Sequence, residues 1–239
     1  MTKLLRYSVY LFDADGPLIN SVDAALATTN RVLESFDLEQ LNLETWRATP
    51  KSPWKRFYTD HGVPKKEVDE ALRRYVAFFG EVTHTAAKPE EVEETLMFLR
   101  SRNIGVVTDM HRIDWDNYCN RFGFDKYIHT EAVITCDDCD ERKPSPKPLY
   151  LAMERLGVSK KKIREHKVRG IMIGDSPVDI IAGRAAGLDT AAVYYHGSYN
   201  NEERLLAQKP TYMIERISII ADRQAFRTKR VRENPSILG

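Results

Sequence analysis

The chain has 239 residues and a formal net charge of +1, so no overall field selects nucleic acid or an anionic membrane. Hydrophobic residues make up 42% and charged residues 30%, an ordinary water-soluble balance, and no apolar run approaches the roughly 20 residues of a membrane helix. Three cysteines, an odd count in so long a chain, argue against a disulfide framework and for a reducing, cytoplasmic setting.

In chain order, the opening stretch MTKLLRYSVYLFDAD meets its first acid early and lacks a small-residue cleavage site, so it reads as a first strand over residues 8–12 rather than a signal peptide. Helical patterns without a strand follow from residue 21 to 82. Val22, Ala25, Leu26, Thr29 and Leu33 form one face, and Val68, Leu72, Tyr75, Val76 and Phe79 another. Pro89 suits a first helical turn ahead of Val92, Leu96 and Leu99. A strand over 104–107 precedes the helical spacing of Trp115, Tyr118, Cys119 and Phe122. A strand over 132–135 precedes Leu149, Ala152, Met153 and Leu156, with Gly157 as the stop. Strands over 168–173 and 190–195 complete the alternation. Strands alternating with helices predict an α/β fold with a doubly wound, mostly parallel sheet. We expect a core over residues 1–18 and 87–239, with 227–239 a loose tail. A small all-helical module inserted after the first strand is expected over 19–86, hinged near Ile19 and near 85–88.

Chemistry concentrates at the strand ends. Asp13 and Asp15 sit at i and i+2, so in extended backbone both carboxylates face one crevice beyond the strand's carboxyl end. Two crowded carboxylates repel unless a cation or shared proton compensates. Alone, the pair reads equally as a turn or as a catalytic pair. The next strand ends in the hydroxyl of Thr108. ERKPSPKPL places Lys143 before a proline-stiffened helix entry, and GDSPVD supplies Asp175 and Asp179. Singly, Thr108 reads as a cap, Lys143 as a surface lysine and Asp179 as a partner of the helix dipole. Together, acid, hydroxyl, ammonium and acid at successive strand ends point to a phosphate site.

FDADG, VVTD, KPSPKP and GDSPVDIIAGRAAGL, in that order, resemble the four motifs of the haloacid dehalogenase superfamily. The helical insert is similar to the C1-type cap of phosphoglycolate phosphatase-like members. The resemblance implies a Rossmann-like core and a phosphoric monoester hydrolase. In it Asp13 is the nucleophile that becomes an aspartyl phosphate, and Asp15 the general acid and base. It also implies a Mg2+ ion on Asp13, Asp15 through its backbone carbonyl, and Asp175. Thr108 and Lys143 would bind the phosphoryl oxygens, with Ser176 and Asp179 in support. Superfamily dehalogenases and phosphonatases lack an acid at the Asp15 position, so Asp15 favours phosphoryl chemistry. Two positions depart from the pattern. Pro17 replaces the usual Thr, and Asp109 replaces an Asn, adding negative charge near the phosphate unless its side chain turns away.

The expected activity is hydrolysis of a small phosphorylated metabolite by a cytoplasmic monomer or homodimer, with neither membrane nor nucleic acid as partner. A β-phosphoglucomutase-like phosphomutase and a non-catalytic phosphate-binding protein are the alternatives. RATPKSPWKRF carries Arg47, Lys51, Lys55 and Arg56, either a solvated basic surface or a cap patch selecting a second anionic group. CDDCD spaces Cys136 and Cys139 like metal ligands, but with His129 the pair is only half a zinc site.

Overall fold

The expected β-rich runs form strands, and a sixth joins them in one all-parallel sheet. The computed structural model describes residues 7–49, 54–195, 199–200 and 202–221. Strands β1 (Val9–Phe12), β2 (Asn103–Val107), β3 (Val133–Ile134), β4 (Gly170–Gly174), β5 (Asp189–Val193) and β6 (Tyr212–Ile214) lie in the order β3-β2-β1-β4-β5-β6. β1 is central, and each of its residues is 1% exposed or less. That two-sided burial is why its sequence is a continuous apolar run rather than an alternation. β6 was not expected. It has three residues, pairs only with β5, and is too short to show a period.

The period of two sorts the core into two layers. Tyr10, Phe12, Ile104, Val106, Ile171 and Ile173 face one side. There they meet α5 (Glu91–Leu99) and α6 (Arg112–Phe122) through Val92, Leu96, Trp115 and Tyr118. Val9, Leu11, Val107 and Met172 face the other side. They pack on α7 (Lys147–Arg155), α8 (Lys160–Arg164) and α9 (Pro177–Ala185) through Leu149, Met153, Ile163 and Ala182. α10 (Glu202–Leu206) anchors Leu205 against Ile180 and Met213. Gly123 and Gly157 adopt positive φ just beyond α6 and α7, where a left-handed residue ends a helix.

Between β1 and α5 the chain forms α1 (Val22–Glu34), α2 (Leu43–Ala48), α3 (Trp54–Asp60) and α4 (Val68–Val82). These helices bury a cluster of their own, including Val22, Leu33, Trp46, Phe57, Tyr58 and Ala71. Asn42 caps α2 by accepting the Thr45 N–H. The two chain crossings into and out of this block lie side by side. Asn20 N–H donates to the Ala87 carbonyl at 2.8 Å, and Ala87 N–H donates back at 3.1 Å. No helix among the described residues is long and apolar enough to cross a membrane. Lys51 and residues 227–239 lie outside the described residues.

Candidate active site

Parallel pairing brings the carboxyl ends of β1, β2 and β4 to one edge of the sheet, and with them Asp13, Thr108 and Asp175. Lys143 reaches in from the segment before α7. Its Nζ is 2.9 Å from Asp13 Oδ1, 2.7 Å from Asp179 Oδ1 and 3.0 Å from the Val107 carbonyl. The ammonium therefore donates to Asp179 and to the Val107 carbonyl and lies in ion-pair range of Asp13. Asp13, Thr108, Lys143, Asp175 and Asp179 are all buried.

Local sequence sets each orientation. Pro177 opens α9 and Ser176 caps it. Ser176 N–H donates to Asp179 Oδ2 at 2.9 Å, so both Asp179 oxygens are engaged. Ala14 N–H holds Asp13 Oδ1 at 2.8 Å. Thr108 Oγ1 accepts the Met110 N–H at 3.2 Å, which leaves the hydroxyl proton to donate. Gly16 has φ +88°, and any Cβ there would collide with the Asp175 carboxylate. A Cβ on Gly174 would collide with Asp179 in the same way. The two glycines make room for two acids.

Asp15 is half-buried and accepts a hydrogen bond from Ser21 Oγ, whose oxygen lies 2.7 Å from the Tyr199 hydroxyl. Burial pushes the Asp15 carboxyl up to about 6, opposed by the Ser21 hydrogen bond. Burial also raises the pKa of Asp13, reinforced by the Asp179 charge and opposed by Lys143. Asp175 rises through burial against the Tyr199 N–H, and Asp179 rises through burial against Lys143. Burial alone would lower the Lys143 pKa, but the Asp13 and Asp179 charges outweigh it and hold the ammonium above its ordinary value. Four ionised acids would outnumber the one lysine beside them, and burial holds their carboxyls toward the neutral form.

Carboxylate oxygens of Asp13, Asp175 and Asp179 lie within 4.8 Å of one another. Hard oxygen donors in excess of the local positive charge fit a Mg2+ ion. This carboxylate cluster contains Asp179, where the expected ligand set had the Asp15 backbone carbonyl. Since both Asp179 oxygens already hold partners, its geometry suits orienting Lys143.

Of the basic residues in the helical block, Arg47 on α2 lies within electrostatic reach of the site. Burial lowers its pKa, and the charges of Asp23 and Asp175 oppose that. Lys55 and Arg56 on α3 are exposed and pair with Asp69 at 2.7 Å and Asp60 at 3.3 Å. Asp109 is exposed, and its charge makes a minor contribution at Lys143 and Asp15. Pro17 is buried.

Sequence reasoning missed the residues after β5. Tyr195 OH donates to the Gly16 carbonyl at 2.6 Å. Tyr199 N–H donates to Asp175 Oδ2, and Asn200 Nδ2 donates to the Asp175 carbonyl at 3.1 Å. The Tyr199 ring packs 5.3 Å from Trp46 of α2. The polar and aromatic run YYHGSYNN beyond the fifth strand carried the signal, had the strand-end argument been extended one strand further.

Residues 10–193 match the family model described as haloacid dehalogenase-like hydrolase. The chain is 30% identical over 216 residues to a pyrophosphatase PpaX of Bacillus velezensis, covering 89% of this chain and 94% of the relative. It is 26% identical over 212 residues to a phosphoglycolate phosphatase of Colwellia psychrerythraea, covering 84% and 90%. A crystal structure described as a predicted phosphoglycolate phosphatase from Haemophilus somnus superposes with a TM-score of 0.72, covering 90% of this chain and 97% of that one. At 22% identity that likeness concerns the fold alone.

Proposed function

The chain belongs to the haloacid dehalogenase-like hydrolase family, a phosphoric ester hydrolase within it, and from that premise we propose a Mg2+-dependent phosphatase that acts on a small phosphorylated metabolite through an aspartyl phosphate. The observation that carries this reading is the buried Lys143 ammonium shared by Asp13 and Asp179, with Thr108 and Asp175 on the same sheet edge.

Asp13 attacks phosphorus through a carboxylate oxygen, forming one P–O bond as the ester P–O bond breaks. Asp15 gives its proton to the leaving oxygen, for which a carboxyl pushed up to about 6 is suited. Asp15 then takes a proton from the water that hydrolyses the acyl phosphate, releasing phosphate and restoring Asp13. Thr108 and Lys143 hold the phosphoryl oxygens, and Asp179 and Ser176 keep Lys143 aimed. The Asp13 and Asp175 carboxylates and the Asp15 carbonyl would hold Mg2+. When bound, it neutralises charge between the carboxylate and the phosphate dianion.

The helical block over 19–86 serves as the cap. Arg47 is its contribution to substrate choice, recognising a second anionic group. Phosphoglycolate carries such a group in its carboxylate, and pyrophosphate in its second phosphate. A phosphate-release screen over phosphoglycolate, pyrophosphate, sugar phosphates and nucleotides, with Mg2+, tests the reading. Release from a substrate with a second anion, falling to background in Asp13→Asn, is expected. Unchanged turnover in Asp13→Asn sinks the nucleophile assignment. Sugar-phosphate interconversion without phosphate release would instead identify a phosphomutase.

A further inference from the structure

Beyond the buried aspartates, a second group of ligand-type side chains converges at the same end of the sheet. His111 occupies the position just before α6, and Cys136 and Asp137 follow β3. His111 Nδ1 lies 3.4 Å from Cys136 Sγ and 3.0 Å from Asp137 Oδ1, and Cys136 Sγ lies 3.6 Å from the same Oδ1. We propose that His111, Cys136 and Asp137 form a second metal site, taking a thiophilic divalent transition ion, Zn2+, distinct from the aspartate cluster.

The distances carry the argument. Zinc bonds of about 2.3 Å to sulfur, about 2.05 Å to nitrogen and about 2.0 Å to oxygen, at tetrahedral angles, set edges of about 3.6 Å for S–N, about 3.3 Å for N–O and about 3.5 Å for S–O. Each observed separation falls within about 0.3 Å of its edge, inside the freedom of one side-chain rotation. Donor chemistry agrees, because a thiolate and an imidazole select zinc over the hard cation suited to the carboxylates. A thiolate, a carboxylate and a neutral imidazole also balance the ion's two charges, with the thiol proton released to solvent on binding.

The surroundings are built for it. Arg112 N–H donates to the second Asp137 oxygen at 2.8 Å, which leaves Oδ1 turned toward His111. Cys136 N–H donates to the Met110 carbonyl at 3.1 Å, holding the two turns together. Asp138 is turned away to Arg112 and Thr135, and Cys139 packs on the apolar layer with Leu149 and Met153. The Cys136–Cys139 spacing therefore does not describe one site, and the imidazole that completes it is His111, not His129. A Cys-His-Asp relay is a poor description of the group, since thiol and carboxylate both meet the same ring nitrogen. His111 and Asp137 side chains are 43% and 47% exposed, so the fourth position opens to water. Occupancy would cross-link the turns after β2 and β3, next to Thr108.

The test uses the full chain, stripped of metal and then saturated with Mg2+ to fill the aspartate cluster. Zn2+ is titrated against a chromophoric chelator, and Co2+ is added in parallel. We expect one Zn2+ per chain, a thiolate-to-cobalt charge-transfer band, and zinc protection of Cys136 but not Cys119 from alkylation. Cys136→Ser and His111→Gln should each weaken zinc binding by more than the roughly 10–100-fold lost with an outer-shell partner, while Cys139→Ser leaves it unchanged. Absence of the charge-transfer band in the wild type, unprotected Cys136, or wild-type affinity in Cys136→Ser would each overturn the site. The first two need no variant, so misfolding cannot mask the result.

Discussion

At the scale of single residues, the site is a problem of charge. Asp13, Asp15 and Asp175 all have folded-state pKa values above the ordinary carboxylate range, chiefly because burial penalises the charged form. Such groups lend stability when protonated and lose it as pH rises through the folded-state value, which for Asp15 is about 6. Exposed acids with lowered values, such as Asp69 and Glu93, act in the opposite sense, but their contribution is gained as pH rises through the ordinary carboxylate range and changes little above it. The metal-free protein should therefore melt at a lower temperature at about pH 7.5 than at about pH 5, and Mg2+ should raise Tm more at the higher pH. Differential scanning fluorimetry with and without Mg2+ measures both; an increment independent of pH would mean the acids are already neutralised by other means. Gly174 carries a separate prediction. Gly174→Ala forces a Cβ into the Asp179 carboxylate, displacing the residue that aims Lys143. Overpacking of this kind costs about 1–3 kcal/mol, and denaturant melts together with a drop in kcat would report it.

Individual elements divide the work of the helical block. α2 and α3 both carry basic residues, and composition alone cannot rank them. Packing separates them: Trp46 of α2 is buried against Tyr199, and Arg204 Nη1 reaches the Thr49 carbonyl at 3.1 Å just past the helix. This docks α2 beside Asp175, whereas α3 keeps Lys55 and Arg56 in exposed ion pairs that solvent screens. Arg47→Ala should raise KM for a substrate with a second anion by about 10-fold or more, the worth of one charge-assisted hydrogen bond. Lys55→Ala and Arg56→Ala should leave KM within experimental error. Steady-state kinetics on all three variants decides it, and equal effects would return the whole basic segment to a solvated surface.

For the whole molecule, the proposed cap joins the sheet through the two chain crossings near residues 16–20 and 87. The chain leaves β1 through Gly16 at positive φ and a buried Pro17, and Tyr195 OH fastens the Gly16 carbonyl. Farther along, Asn20 and Ala87 tie the two crossings together. Pro17 fixes φ and restricts Gly16, so Pro17→Thr should loosen the exit, shift KM more than kcat, and speed proteolysis near residues 19–20 and 85–88. Wild-type KM together with wild-type protease resistance would remove Pro17 from that role. The sequence by itself determined the α/β alternation, because two-sided burial writes apolar runs and helices write a 3.6-residue period. It also named Asp13, Asp15, Thr108, Lys143, Asp175 and Asp179 as candidates, because ligands of open parallel sheets gather at strand ends. β6 escaped because three edge residues carry no period, and Tyr195, Tyr199 and Asn200 because their partners are more than 20 residues away. Only the tertiary structure decided that Lys143 sits between Asp13 and Asp179, that Arg47 rather than Lys55 approaches the site, and that Cys136 faces His111. Each of those contacts joins segments distant in sequence, and distance along the chain says nothing about which side chains parallel pairing will bring together.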